Sequence, residues 1–260
     1  MREYSGPVAR SHKPGFFDQY NSHKSDNPHF YYFNDLGFRD EPGKQFEEDA
    51  DFVIYLIGCS RTLGAGLRWW DTWACRLKRQ FQRRFPDKKI ALLNMGQGGA
   101  SNDYCARMAM LQCRESKPDA LFINWSDIER AELIDGYNSY SCGPWSQREF
   151  TDYYYLSYNE GTGIVRTIKN VMLLHQFCEV NGIDYVSSGL ARITEHSSVN
   201  PIVQEYCMML EQDRICPRQL PHADKAEDNI HPGIESAKKF SKDLFVFWRK
   251  HYDDGSEQPN

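Results

Sequence analysis

The chain has 260 residues, long enough for one large α/β domain with a full core. Its 31 Lys and Arg stand against 36 Asp and Glu, a net charge of -5, which argues against general nucleic-acid binding by phosphate neutralisation. The 8 Cys form no C-x-x-C pair and no zinc-like spacing, and no window resembles a signal core or a membrane span, so a cytoplasmic protein with reduced thiols is expected.

Residues 1–28, rich in Ser, His, Asn, Pro and Lys, are expected to be a loosely structured arm. His12, His23 and His29 lie in or beside it. Their irregular spacing favours packing or exposed histidines over a metal site, and no metal or cofactor is expected. A single domain is expected over 29–252, with an insertion at about 128–160 and a polar tail at 253–260. Asn34 to Gly37 reads as a turn.

The apolar, β-branched run Phe52 to Ile57 reads as a strand buried on both faces. A turn-like stretch with Gly58, Gly64 and Gly66 follows, and Ser60 sits where the strand ends. Ligands of open α/β sheets bind at the carboxyl ends of the strands, so Ser60 is a candidate nucleophile. Next comes a helix over roughly Trp69 to Phe85, with Trp70, Trp73, Leu77 and Phe81 at helical spacing toward the sheet. Its many Arg and Lys read as a solvated face.

Lys89 to Met95 is the second strand, and a Gly-rich loop through Gly96, Gly98 and Gly99 leads to a helix from Asp103 to Glu115. The loop's G-x-G-G pattern lacks the dinucleotide fingerprint. Ala120 to Trp125 is the third strand and ends in Ser126-Asp127. Ile128 to Glu160 is aromatic without a clean period, suiting either a lid or rim over the carboxyl edge or a plain surface insertion. A helix from Gly161 to Asn181, a strand from Ile183 to Ser187 and a helix from Val199 to Asp213 follow. A loop from Cys216 to Asp228 leads through His231 into a last helix, Ile234 to Trp248. This alternation predicts a parallel sheet covered by helices on both faces.

Asp228 and His231, three apart ahead of a helix, can hydrogen-bond to each other. At the same sheet edge, His231 would take the Ser60 proton and Asp228 would hold the imidazole tautomer. The candidate oxyanion donors are the backbone N–H groups of Ser60 and Gly99 and the Ser126 side chain. Asn102, Asn124 and Asp127 are candidates for the substrate rim.

These residues also carry a resemblance to the SGNH hydrolases, which include the GDSL esterases and lipases. Gly58-Cys59-Ser60-Arg61-Thr62-Leu63-Gly64-Ala65-Gly66 resembles their Gly-Asp-Ser block. Asn94-x-Gly96-x-x-Gly99 matches the second, Asn124-Trp125-Ser126-Asp127 resembles the third, Gly-x-Asn-Asp, and Asp228-Asn229-Ile230-His231-Pro232 matches the last. The lead-in Asn34-Asp35-Leu36-Gly37-Phe38-Arg39-Asp40 is similar too, so the resemblance covers roughly 30–250. It implies a three-layer α/β/α fold with a parallel, flavodoxin-like sheet. It further implies a serine esterase or deacylase that cleaves a small ester or an O-acyl group, such as O-acetyl on a glycan, through an acyl-enzyme. Acyl transfer to a sugar would use the same groups.

Two positions depart from the family. Cys59 replaces the usual Asp and is expected to be a buried small residue rather than a nucleophile. Ser126 replaces the oxyanion Asn, and losing one such donor typically costs about two to three orders of magnitude in rate. That departure supports the competing expectation of a catalytically degenerate domain serving as a glycan-binding or structural module, in a virion for instance. Gly-Cys-Ser with Trp-Ser also resembles divergent SGNH-like proteins of bacteriophages and marine bacteria.

Overall fold

The computed structural model describes residues 15–17, 31–44, 46–47, 49–135, 138–145, 150–190, 193, 201–210 and 214–253. His12, His23, His29, most of the expected arm and nearly all of the expected tail lie outside the described residues. In chain order, β1 (Gly15–Phe17) pairs antiparallel with β2 (Tyr31–Phe33). Then come β3 (Phe52–Gly58), α1 (Ser60–Leu63), α2 (Trp73–Arg84), β4 (Ile90–Asn94), α3 (Asn102–Glu115) and β5 (Ala120–Asn124). The second half holds β6 (Ala131–Asp135), β7 (Asn138–Cys142), α4 (Phe150–Ser157), α5 (Glu160–Val180), β8 (Asp184–Ser188), α6 (Pro201–Met208) and α7 (Ile234–Tyr252).

Every residue of β3 is buried, as a strand with parallel neighbours and helices on both faces must be. The sheet order is β4-β3-β5-β8, with all three pairings parallel. A parallel bridge from Ser187 to Ile215 extends the order past β8. In order of appearance this is second, first, third, fourth, the flavodoxin-like winding.

Alternation along β3 sorts its side chains between two cores. Phe52, Ile54 and Leu56 join Trp73, Leu77 and Phe81 of α2 and Phe240, Leu244 and Trp248 of α7. Val53, Tyr55 and Ile57 join Tyr104 and Met108 of α3 and Ile164, Ile168 and Leu174 of α5. The result is three layers, with α2 and α7 on one face and α3 and α5 on the other.

Trp70 does not face the sheet. It is 44% exposed. The chain makes a 3-10 turn over Trp69–Asp71, and Thr72 caps α2 by accepting the Cys75 N–H. The α-helical period therefore starts at Trp73, and Trp69 is the tryptophan turned inward.

The aromatic insertion contains a β6–β7 hairpin and α4. Its aperiodic aromatics concealed the hairpin, in which Asp135 pairs with Asn138. Arg107 of α3 pairs with Glu132 of β6, and the Tyr154 hydroxyl donates to the Glu129 carbonyl. Among the described residues, no helix is long and apolar enough to cross a membrane.

Candidate active site

The position of Ser60, the candidate nucleophile, follows from β3 running into a single helical turn. Gly58 pairs with Asn124 across the sheet. A Cβ on Gly58 would lie 2.6 Å from the Asn124 carbonyl oxygen and 2.2 Å from Thr62 Oγ1. Glycine there lets α1 fold back against the strand end with Ser60 as its first residue. Cys59 is fully buried. Burial pushes its thiol up, but the charges of Arg61 and Arg130 outweigh that and hold it below the ordinary thiol value.

The far end of α1 is held by a residue that sequence reasoning noted only as part of a lead-in. Arg39 is buried, and its Nη1 donates to the carbonyls of Leu63 (2.7 Å) and Gly64 (2.6 Å). Its Nη2 donates to the Leu67 carbonyl (2.6 Å), and the guanidinium lies 4.2 Å over the Tyr31 ring. The Tyr31 hydroxyl in turn accepts the Gly66 N–H at 2.8 Å. Burial lowers the Arg39 pKa to about 10, which leaves it charged at neutral pH.

His231 and Ser60, 171 positions apart, meet at this edge. His231 Nε2 lies 2.9 Å from Ser60 Oγ, and His231 Nδ1 lies 2.6 Å from Asp228 Oδ2. The other Asp228 oxygen accepts the backbone N–H groups of Ile230 (3.0 Å) and His231 (2.9 Å). Burial pushes Asp228 up, but those two N–H groups and the His231 ring hold its pKa below the ordinary value. The turn between them puts Asn229 at φ 58, a left-handed conformation that Asn tolerates better than most residues. Gly66 gives the carboxylate room, since a Cβ there would sit 2.7 Å from Asp228 Cγ. The loop closes on itself through Ala226 N–H to His231 O (2.8 Å) and Gly233 N–H to Asp224 O (3.0 Å).

The second loop is fastened to the first. Gln97 N–H donates to Gly58 O (3.0 Å), and Asn94 Nδ2 donates to Thr62 O (3.0 Å). Among the described residues, no atom beyond its chain neighbours lies within 4 Å of where a Gly99 Cβ would be, so that face of the loop is open toward them. The N–H groups of Ser60 and Gly99 donate to no other described residue. Ser126, after β5, is buried, and its Oγ hydrogen-bonds to no described residue.

Two of the residues expected at a substrate rim are instead interior. Asn102, first in α3, is 2% exposed. Its Oδ1 accepts the Ser126 N–H (2.7 Å), and its Nδ2 donates to Ser126 O (3.2 Å) and Thr167 Oγ1 (2.9 Å). Both ends of its amide are spent clamping the Ser126 backbone, so none remains for a substrate. Asn124 is also 2% exposed, and with Ser126 it lines a cavity at this edge of the sheet. Asp127 is partly exposed and sits between two arginines, with Arg61 at 3.0 Å and Arg130 at 2.9 Å. Arg130 lies 5.0 Å over the exposed Trp145 ring of the insertion. Among the described residues, no group of three or more His, Cys, Asp or Glu could hold a metal ion.

No protein-family profile matches the chain, and no curated protein matches it. Solved structures that resemble it include TesA, at 13% identity and a TM-score of 0.48, covering 76% of this chain and 98% of that one. The esterase EstA from a Pseudoalteromonas species is 12% identical with a TM-score of 0.48, covering 78% and 100%. The acetylxylan esterase Axe2 from Geobacillus stearothermophilus is 13% identical with a TM-score of 0.47, covering 76% and 94%. At such identities and scores these likenesses carry no argument about activity, and the fold class rests on the strand order and layers described above.

Proposed function

We propose that this protein is a serine hydrolase of the SGNH type that cleaves a small ester or O-acyl group, such as an O-acetyl on a glycan. The observation that carries the reading is the Ser60–His231–Asp228 relay, with contacts of 2.9 and 2.6 Å. With Nδ1–H donating to Asp228, the Nε2 lone pair faces the Ser60 hydroxyl. Ser60 Oγ attacks the ester carbonyl as its proton passes to Nε2, and Asp228 stabilises the imidazolium. The developing oxyanion is met by the N–H groups of Ser60 and Gly99, with the Ser126 hydroxyl in the third position. His231 then protonates the departing alcohol, leaving an acyl-Ser60. Water activated by His231 completes hydrolysis, and a sugar hydroxyl in its place would make the step an acyl transfer.

A serine-directed fluorophosphonate tests this. The reagent is expected to add its phosphonyl group to Ser60, located by peptide mass spectrometry, and to leave Ser60→Ala unlabelled. Absence of label on the folded wild type, or label on another residue, would overturn the assignment.

A further inference from the structure

Beside the candidate nucleophile lies a cavity of about 110 Å³, lined by Arg61, Asn124, Ser126, Asp127, Leu190 and His222 among others. Neither Ser60 nor His231 lines it, so it adjoins the reacting pair rather than containing it. Two of its walls carry buried polar atoms. Asn124 and Ser126 are 2% and 4% exposed, and Asn124 Nδ2 and Ser126 Oγ hydrogen-bond to no described residue. Folded proteins rarely bury such donors without a partner, because the lost hydration is not recovered.

Among the described residues, the charge around the cavity has one sign in excess. Asp127 is the carboxylate among its lining residues, and both its oxygens are engaged, Oδ1 by Arg61 Nη2 and Oδ2 by Arg130 Nη2. Two guanidinium groups on one carboxylate leave a net positive charge. Arg61 keeps about a fifth of its side chain accessible, with 21% exposed. The cavity therefore presents an amide donor, a hydroxyl and a guanidinium. The ligand chemistry that answers all three is a small anionic acceptor, and a planar carboxylate matches the arginine fork.

We propose that this cavity is a carboxylate subsite, and that the ester cleaved at Ser60 carries a carboxylate on one side of its scissile bond. The proposal rests on the hydrolase reading. The reaction stays ester plus water to acid plus alcohol, and the substrate carboxylate takes no part in bond making. Arg61 supplies the charge and Asn124 Nδ2 supplies a directed hydrogen bond, and Ser126, the candidate oxyanion donor, lines the same cavity.

The test has a binding arm and a kinetic arm. In the Ser60→Ala protein, calorimetric titration with succinate should show saturable binding that weakens with added salt. Adding Arg61→Gln should weaken it at least ten-fold, with Arg61→Lys intermediate, and neutral succinamide should not bind. In the kinetic arm, wild type is compared on p-nitrophenyl hemisuccinate and the isosteric p-nitrophenyl 4-methylpentanoate. It is also compared on 2-acetoxypropanoate and 2-acetoxypropanamide. At least one charged ester should exceed its neutral partner about ten-fold or more in kcat/KM, and Arg61→Gln should bring that ratio toward one. Turnover without preference for either charged ester, or binding of succinamide equal to that of succinate, overturns the subsite and leaves the hydrolase standing. Succinate binding with no turnover of any ester overturns the hydrolase reading, and with it the ester half of the proposal. A folded protein that neither binds succinate nor prefers charged esters overturns the proposal outright.

Discussion

An asparagine amide and a serine hydroxyl differ as donors in reach and in freedom to rotate, and position 126 turns on that difference. The Ser126 backbone is fixed at both its N–H and its carbonyl by Asn102, so only the two side-chain torsions are left to adjust. A donor that must be oriented during the reaction stabilises an oxyanion less than a fixed one. Ser126→Ala is therefore expected to lower kcat roughly ten- to hundred-fold with little change in KM, less than the typical loss of a fixed donor. Ser126→Asn is expected to match or exceed wild type. Steady-state hydrolysis of a short-chain p-nitrophenyl ester, with Ser60→Ala as the blank, checks both. Equal rates for Ser126→Ala and wild type would remove Ser126 from the oxyanion site.

At the scale of an element, α7 depends on a cap brought from outside its own sequence. Its N-cap residue, Gly233, offers no side chain. Asp224 supplies the acceptors instead, taking the N–H groups of Glu235 (2.9 Å) and Ser236 (2.8 Å) and the Ser236 hydroxyl (2.6 Å). The same residue accepts the Gly233 N–H on its carbonyl, closing the loop that holds Asp228 and His231. Burial pushes the Asp224 pKa up, but the Ser236 hydroxyl and the two backbone N–H groups overcome it and hold the pKa below the ordinary value. A depressed carboxylate pKa means the folded state favours the charged form. Its stabilisation is full above the unfolded value near ~3.9 and is lost as pH falls through the folded one. Asp224→Ala is expected to cost about 1–2 kcal/mol near neutral pH, the usual range for a lost cap. The gap to wild type should narrow below about pH 4. Urea denaturation across that range measures it, and a gap independent of pH would refute the charged-cap account.

Across the whole molecule, stability should follow the two cores that sandwich the sheet. Phe81 of α2 sits at the centre of one, with ring centroids 5.3 Å from Phe52 of β3, 5.9 Å from Phe122 of β5 and 4.5 Å from Trp248 of α7. Truncating it opens a cavity among three elements that cannot easily collapse. Phe81→Ala is expected to destabilise by about 3–5 kcal/mol with an unchanged urea m-value. Trp70, a larger residue on the same segment, is exposed, and Trp70→Ala should stay within about 0.5 kcal/mol. A cost for Trp70→Ala comparable to that for Phe81→Ala would contradict the observed start of α2.

The sequence by itself determined the elements of the sheet and its two helical layers. Burial on both faces of a parallel strand leaves an unbroken apolar run, and burial on one face of a helix leaves a 3.6-residue period. Both signals are local, so β3, β4, β5, β8 and the helices around them were legible, and the sequence also marked out Ser60, Asp228 and His231, which meet in the structure. A 3-10 turn before α2 and an aperiodic hairpin in the insertion carry no such period, and there Trp70 and β6–β7 escaped. Only the tertiary structure decided which polar groups meet. His231 reaches Ser60 across 171 positions, through sheet register and the closure of the 224–233 loop. Asn102 became a backbone clamp and Arg39 the anchor of α1. A polar side chain has several chemically acceptable partners, and its choice among them is fixed by packing over long sequence separations, where no local pattern records it.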